Sequence, residues 1–452
     1  MAVTQVSSNA LGNMLKIVSK GGIVNNLSED AAIWNNVLKQ HTEGDAVGRQ
    51  LRYATRTALG SGAVGFVSTT GGSYLSGATS TVNEGIAEWK DFSCTIEVDR
   101  TVIEKALADF DSYGKPLVDE IEVKTIALSR ILSAAVYGDG TGVIAQSLNT
   151  GSSTSTSVTF NIDTSDSARG FVGWLEEGDK VHAVNTDGTT AAPTETSGTD
   201  YSYYLISSID RDNATVTLTP YTSAGVAVTD ITGSGLIAGD YLVRGSEDDT
   251  YQDLSAISTT DYNTLSTAFT GLDSLSQDDG RVVNNITLTG NAGGTRQDES
   301  GNPIDSQGFQ KLMSKLMRRA GKGRYSYDQA CMAWETYDAL IESREVDRRF
   351  QSIQDNKKGV PSMGYVHGRN AVMFDPDEFC PKKRIYLIPN KGALAFHGSD
   401  FNFVMPNGND KFHLKAGSSG SYDRIIQSFM EGSGCLLSPH NAALGVIHNF
   451  TA

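Results

Sequence analysis

Residues 49–57 read RQLRYATRT and residues 87–100 read AEWKDFSCTIEVDR; between them residues 58–85 read ALGSGAVGFVSTTGGSYLSGATSTVNEG. The flanks carry the β-branched and aromatic residues that favour strands. The middle is rich in glycine, serine and threonine and has neither the period of a helix nor that of a strand. In a compact monomer so long a structureless stretch argues against the assignment, unless it is functional or held by a partner. We therefore read residues 48–100 as a long hairpin that projects from its own subunit. Seven glycines at 60, 62, 65, 71, 72, 77 and 85 raise the entropy cost of fixing its tip alone.

The segments on either side fit that reading. Residues 1–47 read as an arm of short helical turns (Leu11, Leu15, Val18, then Ser28 as N-cap of EDAAIWNNVLKQ), with too few apolar residues for a core of its own. After the hairpin come a helical stretch, DRTVIEKALADF, and a longer helix expected over Pro116–Val136. In the latter Leu117, Ile121, Leu128, Leu132 and Ala135 fall on one face, and Gly138 stops it. Further on, an amphipathic helix is expected over Ser306–Ala320, with Phe309, Leu312, Met313, Leu316, Met317 and Ala320 as its apolar face, and another at AWETYDALIESREVDRRF. Short strands then follow, among them NAVMFDPD, KRIYLIPN and DRIIQSFMEGSGCLLS. Helices and strands without regular alternation indicate α+β.

Between these parts lies a β module. EEGDKVHAV at 176–184 is echoed by IAGDYLVRG at 237–245, each placing Gly-Asp ahead of a strand-like run. Between the echoes, YYLISSIDRDNATVTLTP has hairpin patterning with its turn at Asp210–Asn213. Residues 143–262 hold 17 acidic and 4 basic residues, a net of −13 out of −16 for the chain, which leaves −3 for everything else.

Composition removes several classes. At 452 residues with 39% apolar content the chain is globular and long enough for two or three domains. Its four cysteines stand far apart, with no pairing that reads as a zinc site or a disulfide framework. Neither an export signal nor an apolar run of about 18 residues is visible, so no membrane partner is expected.

Catalytic motifs are equally scarce. GDGTG at 138–142 lacks the lysine of a phosphate loop and the spacing of a dinucleotide loop; it reads as a helix stop and turn. DSLSQDDGR at 273–281 misses calcium-loop spacing and reads as a solvated acidic turn. No HExxH, no GxSxG and no ligand set is present, so no enzyme activity, cofactor or metal is expected. Lys311, Lys315, Arg318, Arg319, Lys322 and Arg324, with Arg344, Arg348 and Arg349 on the next helix, read as a solvated or intersubunit face rather than a nucleic-acid site, because acidic residues are interleaved in the second group.

The order of parts resembles the major capsid protein of tailed bacteriophages: arm, Gly-rich hairpin ending in EWKDFSCTIEVDR, helix closed by AAVYGDGTG, a domain containing AVMFDPDEF and RIYLIP, and the late DRIIQSFMEGSGCLLSPHNAALGVI. The resemblance covers the chain apart from residues 143–262, where some members carry an inserted β domain. It implies an N-terminal arm (1–47), an extended loop hairpin (48–100), a peripheral domain with the spine helix (101–142 and 421–437), an inserted small β-barrel or sandwich (143–262) and an axial domain (263–420 and 438–452). It further implies hexamers and pentamers of an icosahedral shell in the virion, assembled in the host cytoplasm around packaged double-stranded DNA that is not read by sequence. A portal and a decoration protein are the further partners that the resemblance implies. A separate scaffolding protein is expected, since only 47 residues precede the hairpin. Intersubunit contacts are expected at Arg49, Arg52, Arg56, Glu84, Glu88, Trp89, Lys90, Arg344, Arg348 and Arg349. Some members join hairpin and neighbour covalently through a hairpin lysine; residues 57–89 contain none. The competing reading is a β-rich tail or baseplate component whose module stacks sugars on Trp174, Tyr201, Tyr203 and Tyr204. A hydrolase with an appended β module is third, with no catalytic set to support it.

Overall fold

In a computed structural model of the chain the described residues are 38–40, 50–58, 80–100, 116–154, 156–165, 169–184, 194–195, 203–222, 226–228, 231–233, 236–244, 268, 270–320, 325–345, 364–367, 370–389, 394–398, 402–403, 412–416 and 422–451. Among the described residues the chain is α+β, with three larger sheets and three of the expected helices. Helix α1, Pro116–Tyr137, runs 22 residues, about 33 Å at the α-helical rise. Leu128 and Leu132 point into the main core, and Ile121 packs on Ile96, Val98 and Met430.

That second contact places α1 against the long sheet. Tyr422–Leu437 is one continuous 16-residue strand. It pairs antiparallel with Lys90–Asp99 from Ile425 opposite Asp99 to Gly434 opposite Lys90. Ala395–Gly398 lies on its other side. Leu38–Gln40 pairs parallel with Ala395–Gly398, which corrects the end of the helix expected over EDAAIWNNVLKQ: its last three residues are strand, recruited by a free sheet edge that outweighs local propensity. Of the helix expected over DRTVIEKALADF at 99–110, Asp99 is the last residue of the Lys90–Asp99 strand, and 101–110, like arm residues 1–37, lie outside the described residues.

A second sheet of six strands is mixed, in the order Thr295–Asp298, Gly445–His448, Arg384–Pro389, Tyr327–Met332, Asn370–Pro376, Gly364–His367. Helix α2, Ser306–Arg319, is capped by the Asp305 carboxylate, which accepts from the Gly308 amide. Its stripe Phe309, Leu312, Met313 and Leu316 packs on Tyr327, Met332, Phe374, Ile385 and Leu387 of that sheet. Helix α3 is Trp334–Glu345.

The β module is a barrel. Val143–Gln146, Tyr241–Arg244, Lys180–Val184, Tyr203–Asp210, Thr215–Tyr221 and Val158–Asn161 pair antiparallel in that order. Ser147 bridges Ile162. There the Leu148 amide donates to the Asn161 carbonyl at 2.8 Å and the Asp163 amide to the Gln146 carbonyl at 2.7 Å, joining last strand to first. Closure removes the exposed edges. Val158, Phe160, Val181, Ala183, Tyr204, Ile206, Val216, Leu218 and Leu242 are buried, in the alternation of inward-facing strand residues.

The sequence echo has a structural meaning. Gly178 and Gly239 sit at φ of 91° and 96°, a left-handed turn that favours glycine. The strands they open lie side by side, Tyr241 opposite Val184 and Arg244 opposite Val181. Arg244 of the second echo pairs with Asp179 of the first at 2.8 Å. Val143, where the insertion begins, lies opposite Val243; residues 245–262 lie outside the described residues.

Candidate assembly interface

The hairpin forms from Gln50–Ala58 and Thr81–Glu88, in register from Gln50 opposite Glu88 to Ala58 opposite Thr81. Its tip, 59–79, lies outside the described residues. Alternation gives the ribbon two unlike faces. On one, Leu51, Tyr53 and Ala87 pack on Cys435 and Leu437 of the long strand. The other exposes Arg52, Arg56, Val82, Glu84 and Glu88.

The ribbon base is pinned by a turn that sequence reading passed over. VVNNITLTG at 282–290 has strand-like composition; instead Val282–Val283 and Ile286–Thr287 form a tight hairpin around Asn284 and Asn285 at φ of 50° and 62°. Two asparagines between apolar pairs are the available signal for such a turn. The Ile86 amide donates to the Asn284 carbonyl at 2.8 Å, and the Asn285 side-chain amide to the Glu84 carbonyl at 3.2 Å. On the opposite strand the Thr55 hydroxyl donates to the Pro439 carbonyl at 3.0 Å. Burial pushes the Tyr53 phenol up to about 12, against a smaller opposing pull from the Asn284 side chain. Burial likewise pushes the Cys435 thiol up to about 12.

The residues expected at intersubunit contacts distribute as follows. Arg52 pairs with Glu84 at 3.2 Å and Lys90 with Glu88 at 3.6 Å. The Arg52–Glu84 pair is more than half exposed, a class worth about 0–1 kcal/mol, so a neighbour could take over either partner at little cost. Trp89 stands between the hairpin and the Lys90–Asp99 strand, its indole N–H buried without an acceptor among the described residues. Arg344 lies in the last turn of α3. Arg49, Arg348 and Arg349 lie outside the described residues.

Three sequence expectations are corrected here. The turn at 273–281 is not merely solvated: Asp273 pairs with Arg384 at 2.6 Å, Asp278 with Arg319 at 3.3 Å and Asp279 with Arg281 at 2.7 Å. Two members of the basic run on α2 turn inward, Arg319 donating to the Gly290, Gly293 and Gly294 carbonyls and Lys315 to the Arg296 carbonyl at 3.0 Å, while Lys311 and Arg318 stay exposed. Unsatisfied loop carbonyls beside a helix C-terminus draw Arg319 and Lys315 inward. Lys322 and Arg324 lie outside the described residues. Trp174, Tyr203 and Tyr204 are core residues and present no platform for a sugar; Tyr201 lies outside the described residues.

No group of three or more His, Cys, Asp or Glu among the described residues could hold a metal. None of their helices is long and apolar enough to cross a membrane.

No protein-family model matches the chain and no curated protein matches it in sequence. In structure it is similar to the capsid asymmetric unit of cyanophage A-1(L), with TM-score 0.51 and 10% identity over 99% of this chain and 100% of that one. The chain has the tailed-phage capsid fold. The capsid of a native GTA particle matches at TM-score 0.47 and 10% identity, covering all of both chains. The capsid of Myoviridae phage XM1 matches at TM-score 0.43 and 8% identity, covering 99% of each.

Proposed function

We propose that this protein is the major structural subunit of an icosahedral shell that encloses double-stranded DNA, with no catalytic role. The observation that carries the reading is the hairpin. Its strands make a two-stranded ribbon, which is marginal alone, yet one broad face carries charged side chains and the half-exposed Val82. A neighbouring copy laid against Arg52, Arg56, Glu84 and Glu88 would bury surface that the subunit itself leaves open, and Arg49, Trp89, Lys90, Arg344, Arg348 and Arg349 belong to the same proposed contact set. Stability then comes from association, as for any state that a partner binds selectively.

In this reading the subunits form hexamers and pentamers, a separate scaffolding protein guides closure, and a portal occupies one vertex. The acidic barrel stands on the outer face, away from packaged phosphate. The test is electron microscopy of the purified chain, expressed with and without its scaffolding partner. Closed shells are expected. Rods, rings or monodisperse monomers under both conditions overturn the proposal.

A further inference from the structure

The barrel is an insertion by sequence, but its core is not separate. Val158, Phe160, Val181, Tyr204, Ile206, Val216, Leu218 and Leu242 belong to one apolar cluster with Leu128, Leu132, Val136 and Tyr137 of α1, with Phe379, Cys380 and Tyr386 of the second sheet and its loop, and with Phe396 and Leu436 of the long sheet. The bridge between them is the segment 171–175, FVGWL, every residue of which is buried. It makes a single turn of 3-10 helix, Val172–Trp174, and belongs to no barrel strand.

Polar contacts fix this bridge from both sides. The Trp174 indole N–H donates to the Phe379 carbonyl at 2.7 Å, while its own carbonyl accepts from Arg244 of the barrel at 2.7 Å. Arg130 of α1 lies 5.1 Å from the centre of the Phe379 ring. Its side chain is 8% exposed, and the guanidinium meets Glu378 at 3.2 Å and also Glu176, the residue that follows the bridge. Glu176 is held in turn by Arg211 of the barrel at 3.3 Å. A second pair, Arg169 to Asp139 at 3.5 Å, crosses from the barrel to the end of α1. A buried arginine is tolerated only when its partners are in place, and removing them leaves a charge whose desolvation is uncompensated. Without the barrel, therefore, α1 would lose Arg130's partner Glu176 and the shell domain would lose Trp174 from the centre of its core.

We propose that the inserted barrel is a keystone of the subunit: segment 171–176 completes the core of the shell domain, and barrel and shell domain unfold as one cooperative unit instead of a shell domain carrying a detachable head. The claim concerns the isolated subunit, so it stands or fails independently of whether shells form.

The experiment is hydrogen exchange with mass spectrometry on the full unassembled chain carrying Leu218→Ala or Ile206→Val, both inside the barrel. If the unit is shared, amides at 129–137 of α1 and 384–389 of the second sheet accelerate by the same factor as amides at 204–218. The factor should be about threefold to tenfold for Ile206→Val and larger for Leu218→Ala. Acceleration confined to the barrel, with α1 and 384–389 unchanged, overturns the proposal. Should Leu218→Ala give no folded chain, Ile206→Val decides between the same two outcomes.

Discussion

Tyr53 and Gly85 face each other across the hairpin, and the phenol ring lies over the glycine so closely that a β-carbon at position 85 would overlap it. The glycine lets Tyr53 turn inward onto Cys435 and Leu437 and reach Asn284. Gly85→Ala should push the ring out and loosen the ribbon base, costing about 1–3 kcal/mol. The readout is Cys435, which is 2% exposed beneath the ribbon. In a Cys94→Ser background, a disulfide-exchange reagent should label Gly85→Ala at least about fivefold faster than its parent, the ratio that a loss of about 1 kcal/mol implies. Equal rates would show that Tyr53 does not hold the base closed.

The same corner sets a pH limit. Burial raises the Tyr53 and Cys435 pKa values from 10 and 9 to about 12, so the folded state favours their neutral forms. The stability this gives is complete below the unfolded values and is lost as pH rises from about 9 to about 12. Tyr53→Phe with Cys435→Ser should flatten the loss of stability across that window in denaturant titrations. An unchanged slope would remove these two groups as its source.

How legible this corner was in the sequence depends on range. The strand flanks, helix α2 with its apolar stripe and the hairpin turn at Asp210–Asn213 follow from local periodicity, and all three form. Arg130 sits within IALSRILSAAVY, and a lone charge in an apolar helical run is a visible signal; its partners Glu176 and Glu378 are distant in sequence and could not be paired without the fold. Asp273, Asp278 and Asp279 misled for the same reason: a carboxylate's local pattern says turn, while its energy depends on an arginine brought up by tertiary structure. The burial of Trp174 is likewise a property of packing across domains, which period analysis does not sense.

Asn285 supplies a separable test of the turn beneath the ribbon. It holds φ at 62° and its side chain donates to the Glu84 carbonyl. Asn285→Gly keeps the left-handed backbone and loses the bond, whereas Asn285→Ala loses both. Alanine should be the more destabilising of the two by about 1 kcal/mol in chemical denaturation. Equal losses for the two would mean that the side-chain bond, which both lack, and not the backbone carries the turn.

If shells form, their subunits should remain free of covalent cross-links through the hairpin. Residues 57–89 contain neither lysine nor arginine, so the stretch offers no amine to attack a neighbouring side-chain amide or carboxyl. Particles boiled in detergent should run as monomers near 48.3 kDa. A ladder of higher oligomers that survives reducing agent would contradict this.

The last prediction concerns where the barrel stands. Residues 143–262 carry −13 while the remainder of the chain carries −3. Packed DNA is a dense polyanion, and like charges repel strongly only within about a Debye length, some 10 Å at ordinary ionic strength. A barrel facing inward would bring its acidic residues into that range, whereas outside it is solvated and keeps particles apart. The keystone arrangement limits the alternatives, because a barrel locked through Trp174 and Arg130 cannot swing from one face to the other without breaking the core. A density map of the particle should therefore place residues 158–246 on the outer surface in every subunit. Barrels on the inner surface, or buried between subunits, would refute the electrostatic argument even with the junction intact.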